Sequence, residues 1–301
     1  MLHLTFRQLR VFEAVARNLS YSRAAEELYL TQPAVSMQIK HLEESVGLPL
    51  FEQIGKKIFL TEAGREMFHY ARAIDGQLAE AEAVLTELKG LRRGKLNISV
   101  VSTANYFAPQ LLAAFCRRHE NLTLSLNVVN RETLLAQLKD NEMDMAIMGQ
   151  PPEGQDIEAA AFMENLLVVV ASPGHPLARA RAIAPSRLEN ETFIVREPGS
   201  GTRGAMERFF QQHGMVLHTG MEMSTTEAIK QAVQAGMGLA VVSRHTIALE
   251  LETGRLAILD VASFPLLRHW YVAHRKGKRL SAVAQAFKEF LLGEAGKLLE
   301  T

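Results

Sequence analysis

The sequence predicts a multidomain α+β chain: an N-terminal winged helix-turn-helix, a long linker helix, and two α/β lobes. Three observations predict it. Residues 1–60 are short helical patterns broken by turn residues, and residues 61–91 are one proline-free helical pattern with a heptad stripe. From Leu96 onward, β-rich apolar runs alternate with amphipathic helical stretches. A length of 301 residues is more than one domain usually holds.

Composition narrows the function classes. Hydrophobic residues make up 48% and charged residues 22%, the profile of an ordinary globular protein. The formal net charge is zero, so no overall basic field draws the chain to nucleic acid, and any such affinity must be local. The single cysteine, Cys116, excludes an internal disulfide and a multi-cysteine zinc site. No apolar run approaches the roughly 18 residues of a membrane span, and the charged start Met1–Arg7 does not read as a signal peptide. A cytoplasmic location without membrane partners is therefore expected.

The head is read helix by helix. Phe6, Leu9, Phe12 and Val15 define a first helix; Ser20-Tyr21-Ser22 opens a short second one with Ala24, Ala25 and Leu28 inward. Leu30-Thr31 breaks it. Thr31 caps a third helix whose first turn holds Pro33, where the missing N–H costs nothing, and Val35, Ile39, Leu42 and Val46 form its buried face. On the exposed face Gln32 can reach a base edge with two hydrogen bonds, and Pro33 and Ala34 offer apolar surface to a thymine methyl. Ser36 and Lys40 can reach bases or phosphates, Thr31 and the helix N-terminus suit a phosphate, and Ser22 and Arg23 open the preceding helix. Phe51–Leu60 reads as a two-stranded wing whose turn carries Gly55, Lys56 and Lys57. Residues 1–60 hold seven Lys/Arg against six Glu, so charge alone leaves a generic three-helix bundle with a hairpin open.

In the long helix, Met67, Ala71, Ile74, Leu78, Ala81, Leu85 and Leu88 are spaced 4-3-4-3-4-3. Thr61 is its candidate N-cap, and Gly90 with Arg92-Arg93-Gly94 ends it. Packing on its own domain is one reading of the stripe. Its narrowness and small alanines favour pairing with a second helix, hence a homodimer.

Residues 92–301 form the remaining region, with one lobe over about 92–161 and 267–301 and the other over about 162–266. Strands are predicted at 96–102, 123–129, 143–149, 166–172, 192–197, 239–243, 256–261 and 269–274. Helices are predicted at 106–119, 131–141, 203–213, 226–235 and 281–292, with a break at Pro151-Pro152-Glu153-Gly154. Ligands of open α/β folds sit beyond strand ends, at helix N-termini. Candidate effector contacts there are Ser102, Thr103, Asn105 and Gly149; then Glu197, Gly199, Ser200, Thr202 and Arg203; then Thr225. Each Ser or Thr has simple helix capping as its alternative role. Gly199–Gly204 also fits G-x-G-x-x-G, with Glu222 downstream, but it follows the fifth strand of the series rather than the first, which argues against a dinucleotide-dependent enzyme. The histidines, His175 and His213 among them, lack metal-ligand spacing, and no catalytic set is visible.

The residues Ala24-Ala25-Glu26-Glu27-Leu28, Thr31-Gln32-Pro33-Ala34-Val35-Ser36, Ile39, Gly47, Pro49-Leu50-Phe51 and Leu60-Thr61-Glu62-Ala63-Gly64 closely resemble the winged helix-turn-helix of LysR-type transcriptional regulators. The chain departs from many of them at Met37, where they carry Arg. The resemblance implies two α/β lobes of periplasmic-binding-protein type, double-stranded promoter DNA as partner, a homodimer assembling into a homotetramer, and contact with RNA polymerase. It implies no enzyme activity, no cofactor and no metal, but a small-molecule effector. Ser102–Pro109, Asn130–Thr133, Ala146–Gly149, Arg196–Arg203 and Arg268–Val272 look most like the CbbR-type regulators of Calvin-cycle carbon-fixation operons. That subgroup answers to phosphorylated metabolites or NADPH. Regulation of amino-acid or aromatic metabolism is the alternative within the family. Outside it stands a cytoplasmic solute-binding protein or enzyme.

Overall fold

The computed structural model describes residues 4–55, 57–88, 94–119 and 122–299. They form two compact units, residues 1–86 with 140–142, and residues 87–139 with 143–301.

In the first unit, α1 (Phe6–Asn18) starts with a capping box: Thr5 accepts from the Gln8 backbone N–H while the Gln8 side chain reaches back to the Thr5 N–H. In α2 (Tyr21–Glu27), Ser20 accepts from the Arg23 N–H. In α3 (Gln32–Val46), Pro33 stands in the first turn, and Gly47, at φ 76°, ends the helix in the left-handed region. Phe12, Val15, Ala24, Val35, Ile39 and Leu42 form the shared core. The wing is the antiparallel pair β1 (Phe51–Ile54) and β2 (Lys57–Leu60), with Phe51 opposite Leu60. Then α4 (Glu62–Leu88) begins at a close approach, for a Cβ on Gly64 would lie 2.0 Å from the Leu50 carbonyl oxygen.

The heptad stripe divides. Ala71 is buried in the head's own core, and Met67 and Ile74 pack against it. Leu78 is half-buried, while Ala81 and Leu85 are exposed. The side chain of Leu88 lies outside the described residues. The first half of the stripe therefore serves the chain's own fold, and its second half remains open.

The second unit opens with β3 (Gly94–Val101), a 3-10 turn (Ser102–Tyr106), α5 (Ala108–Cys116), β4 (Leu122–Val129), α6 (Arg131–Lys139) and β5 (Met145–Met148). Then come β6 (Ile157–Ala171), β7 (Phe193–Arg196), α7 (Gly201–Gln212), β8 (Thr219–Met223), α8 (Thr226–Gln234) and β9 (Ala240–Ser243). The chain closes with α9 (Ala248–Glu252), β10 (Ala257–Ile258), β11 (Leu266–Arg275) and α10 (Ala282–Leu299). The main sheet runs β10-β6-β11-β5-β3-β4, with β9 also on β6; β7 and β8 pair separately. The antiparallel strands β6 and β11 run between two cores. One core gathers Leu96, Phe115, Trp270 and Phe287, the other Leu167, Phe193, Phe209 and Phe210. These are the two lobes, and the chain returns to the first through β11 and α10.

Several elements differ from expectation. The strand predicted at 256–261 forms only at Ala257–Ile258, the last helix runs past 292 to Leu299, and α9 was not predicted. The predicted helix 106–119 starts instead as the 3-10 turn, and α5 begins only at Ala108, where Pro109 fits a first turn. β6 begins at Ile157, earlier than the predicted 166, because its polar and alanine-rich first half is held by pairing with β11. β8 was not predicted at all: its exposed Thr-Gly-Met-Glu-Met run has little strand character and is held by β7.

Candidate functional site

Two sites emerge, one in each unit. In the first, Gln32, Ser36 and Lys40 recur at four-residue spacing on the exposed face of α3, opposite buried Val35, Ile39 and Leu42. Thr31 and Pro33 are exposed at the helix start and Ala34 is half-buried; Thr31 makes no side-chain hydrogen bond across the first turn. Ser22 and Arg23 are exposed on α2, and Lys57 is exposed on the wing. Lys56 lies outside the described residues. Glu43 ties α3 to the wing, its carboxylate accepting from the backbone N–H of Leu50 at 2.7 Å and of Phe51 at 3.2 Å. The helix and the wing are thus held in one fixed arrangement, with polar and basic side chains outward.

In the second unit a cavity of about 660 Å³ opens between the lobes. The turn after β3 brings Ser102 and Thr103 to it, and the end of β5 brings Gly149. The loop into α7 contributes Glu197, Gly199 and Ser200, and the first turn of α7 contributes Thr202 and Arg203. Gly199, at φ 83°, bends this loop, and Ser200 caps α7 by its backbone conformation without a side-chain bond, so the first-turn N–H groups have no capping side chain. Two expected contacts are not in the wall. Asn105 is exposed on the turn, and Thr225 caps α8, its hydroxyl accepting from the Ala228 N–H at 3.2 Å.

Two arginines of the wall are fully engaged. Arg196 is buried: its guanidinium pairs with Glu197 at 2.6 and 2.7 Å and donates to Thr226 and, across the lobes, to Ser102, each at 3.2 Å. Arg203 donates to Glu207 at 2.7 Å, to Glu222 at 2.5 Å and to the Arg196 carbonyl at 2.9 Å. The hydrogen bonds that Arg203 donates to Glu207 and Glu222 hold it charged, above the ordinary arginine range. Glu222 is thereby an anchor for Arg203, and the expected freedom of Arg203 to grip a ligand is reduced.

Sequence reasoning passed over three further arginines of the wall: Arg131 on α6, Arg208 on α7 and Arg268 on β11. Arg131 donates to the Gln150 carbonyl at 2.7 Å, and Arg268 donates to the Gln150 side-chain oxygen at 3.5 Å. Among the described residues no carboxylate pairs with any of the three. Burial, and then the nearby Arg268 charge, lowers the pKa of Arg131; burial, and then Arg208, lowers that of Arg268. Arg131 and Arg268 stand in stretches that carry the family resemblance, whereas nothing in the sequence singles out Arg208. Such a wall suits a polyanion. Among the described residues no group of His, Cys, Asp or Glu could hold a metal, and no helix is long and apolar enough to cross a membrane.

Comparison with known proteins bears on both sites. The family profile described as "Bacterial regulatory helix-turn-helix protein, lysR family" matches residues 6–65, and "LysR substrate binding domain" matches residues 89–296. A RuBisCO operon transcriptional regulator of Allochromatium vinosum is 58% identical over 297 residues, 99% of this chain and 98% of that protein. The regulatory domain of CcmR from Synechocystis PCC6803, solved in complex with 2-PG, is 41% identical with a TM-score of 0.64, covering 66% of this chain and 96% of that one. Full-length CbnR, solved with its target DNA, shares the fold at 21% identity and a TM-score of 0.73, over 96% of this chain and 99% of that one.

Proposed function

The chain belongs to the LysR family of bacterial transcriptional regulators, and we propose that it switches carbon-fixation genes in response to a phosphorylated metabolite held between the two lobes of its second unit. It is a DNA-binding regulator, not an enzyme. The observation that carries the effector reading is the cavity wall, where three arginines without carboxylate partners stand beside the first turn of α7. The CcmR domain solved with 2-PG, 2-phosphoglycolate, supports a small anion of that kind, and NADPH is a larger phosphate-bearing alternative. The relatives favour carbon-fixation control over regulation of amino-acid or aromatic metabolism.

In this reading α3 enters the major groove of promoter DNA, Gln32, Pro33, Ala34 and Ser36 meet base edges, and Thr31, Lys40 and the wing residue Lys57 meet phosphates. The open half of the α4 stripe pairs two copies into a homodimer, and dimers assemble into a homotetramer that contacts RNA polymerase in the cytoplasm. The effector acts by favouring one lobe arrangement, and with it one spread of DNA contacts and one DNA bend. The test is selection of genomic fragments by the purified protein. Enrichment of carbon-fixation promoters is expected; enrichment of unrelated promoters with those absent overturns the assignment.

A further inference from the structure

Met37 is a large apolar side chain that the head's own fold does not use. It is 52% exposed and takes no part in the core to which Val35, Ile39 and Leu42 belong. At about 100° per residue, Met37 stands about 140–160° round α3 from each of those three, near the middle of the outward face. Ser36 stands about 60–120° from them and lies nearer the flank. Pro33, one turn before Met37, is exposed as well, so the two make a short apolar ridge. Lys40 borders that ridge one turn later. Its ion pair with Glu44 spans 4.0 Å and its side chain is 76% exposed, so the ammonium can turn to a phosphate. The ridge lies in the first two turns of α3, and the N-terminal turns of a recognition helix are those that reach base edges. In the major groove the unmodified bases present hydrogen-bond donors and acceptors, which a thioether serves poorly, and one apolar group, the C5-methyl of thymine.

We propose that Met37 reads a thymine methyl in each half of the DNA site, as a specificity-determining residue beside the polar Gln32 and Ser36. The inference rests on α3 being the DNA-reading helix. Met is unbranched, and its rotatable bonds let the thioether settle against a methyl group whose position the groove fixes. The contact takes water off two apolar surfaces at once, and one methyl group removed from water is worth about fourfold in affinity. Being uncharged, it separates one sequence from another without adding to the salt dependence of binding. The exposed Met is thereby accounted for: its apolar surface is covered when the helix sits on the right sequence.

The experiment is selection of binding sites from random duplex DNA by the full-length protein and its Met37→Ala and Met37→Leu variants. Affinities are then measured on the preferred site with each thymine in turn replaced by deoxyuridine, which pairs as thymine does and lacks the methyl. Met37 is exposed, so both substitutions leave the core of the head intact. For the unaltered protein one thymine per half-site should be enriched, and its replacement in one half-site should weaken binding about fourfold. Met37→Ala should lose that enrichment and bind the thymine and deoxyuridine sites equally, while Met37→Leu, still apolar and of similar volume, should keep the preference. A deoxyuridine penalty of the same size in Met37→Ala means that another residue reads the methyl and overturns the proposal. A preferred site in which no thymine methyl matters overturns it too, and both results leave α3 as the DNA-reading helix. Failure of the unaltered protein to select any sequence overturns that role of α3 and the inference with it.

Discussion

Lys230 Nζ lies 4.7 Å from the centroid of the Tyr106 ring, joining α8 of the second lobe to the turn Ser102–Tyr106 of the first. The Tyr106 hydroxyl donates to Glu227 at 3.2 Å, and Lys230 pairs with Glu227 at 2.8 Å and Glu250 at 2.7 Å. Burial works against the charge on Lys230, but its bonds to Glu227 and Glu250 outweigh it and hold the ammonium above the ordinary lysine range. The turn that presents Ser102 and Thr103 to the cavity is thus clamped from the other lobe. A ligand on those hydroxyls acts on a segment both lobes hold.

Replacing Lys230 by Ala leaves Glu250 buried without its cation, and stability should fall by about 3–5 kcal/mol. The double variant Lys230→Met, Glu250→Leu removes both charges and should recover most of that loss. Urea unfolding measures both. A loss under about 1 kcal/mol for the single variant would assign the pair a surface-like worth.

Gly64→Ala should destabilise the DNA-reading head by at least about 1–3 kcal/mol, since the new methyl group meets backbone that cannot step aside. Thermal unfolding of the variant gives the answer. An unchanged or raised melting temperature would mean that α4 can shift away from Leu50 at no cost.

Gln32→Ala with Ser36→Ala should cost more than about tenfold in promoter affinity, because a lost bidentate base contact is worth about 1–3 kcal/mol. Both residues are exposed, so the fold should survive. The salt dependence should hardly change, whereas Lys57→Ala should lower the slope by about one. Promoter affinity equal to that of the parent would remove α3 from the base-reading role.

His274 is buried, with Lys288 3.0 Å from its Nε2 and the Arg275 carbonyl 3.1 Å from its Nδ1, an arrangement that fits the neutral ring. Burial lowers its pKa from 6.5, and burial with Arg244 does the same to His245. A histidine whose pKa is lower in the folded state takes up its proton more readily when unfolded. Stability should therefore be level above about pH 7 and fall as the pH drops below about 6.5 toward the folded-state values. His274→Gln should flatten part of that slope in unfolding measured from about pH 8 to pH 5. An identical slope in the variant would place the protons elsewhere.

The head was the most legible part of the sequence because its signals are local. Ser20 opening the second helix and Thr31 with Pro33 opening the third each act within a few residues. The core strands of the lobes were legible as short β-branched runs such as Val168–Val170. What was lost depends on distant partners. β8 and the first half of β6 exist through pairing. The heptad stripe could not reveal that Met67, Ala71 and Ile74 serve the head. The motif residue Gly64 could be quoted, but the Leu50 carbonyl that requires it is visible only in the fold. The arginine cluster was the largest omission, since α6, α7 and β11 each contribute one residue and no spacing in the chain links them.

The most direct measurement is a DNase I footprint of the purified protein on a carbon-fixation promoter, titrated with 2-phosphoglycolate. The protected region and the hypersensitive sites that mark the bend should shift as the ligand saturates, and Arg268→Gln should bind the same DNA without the shift. A footprint that the ligand leaves unchanged, on DNA the protein binds well, would contradict the claim that an anion between the lobes controls how this regulator holds its promoter.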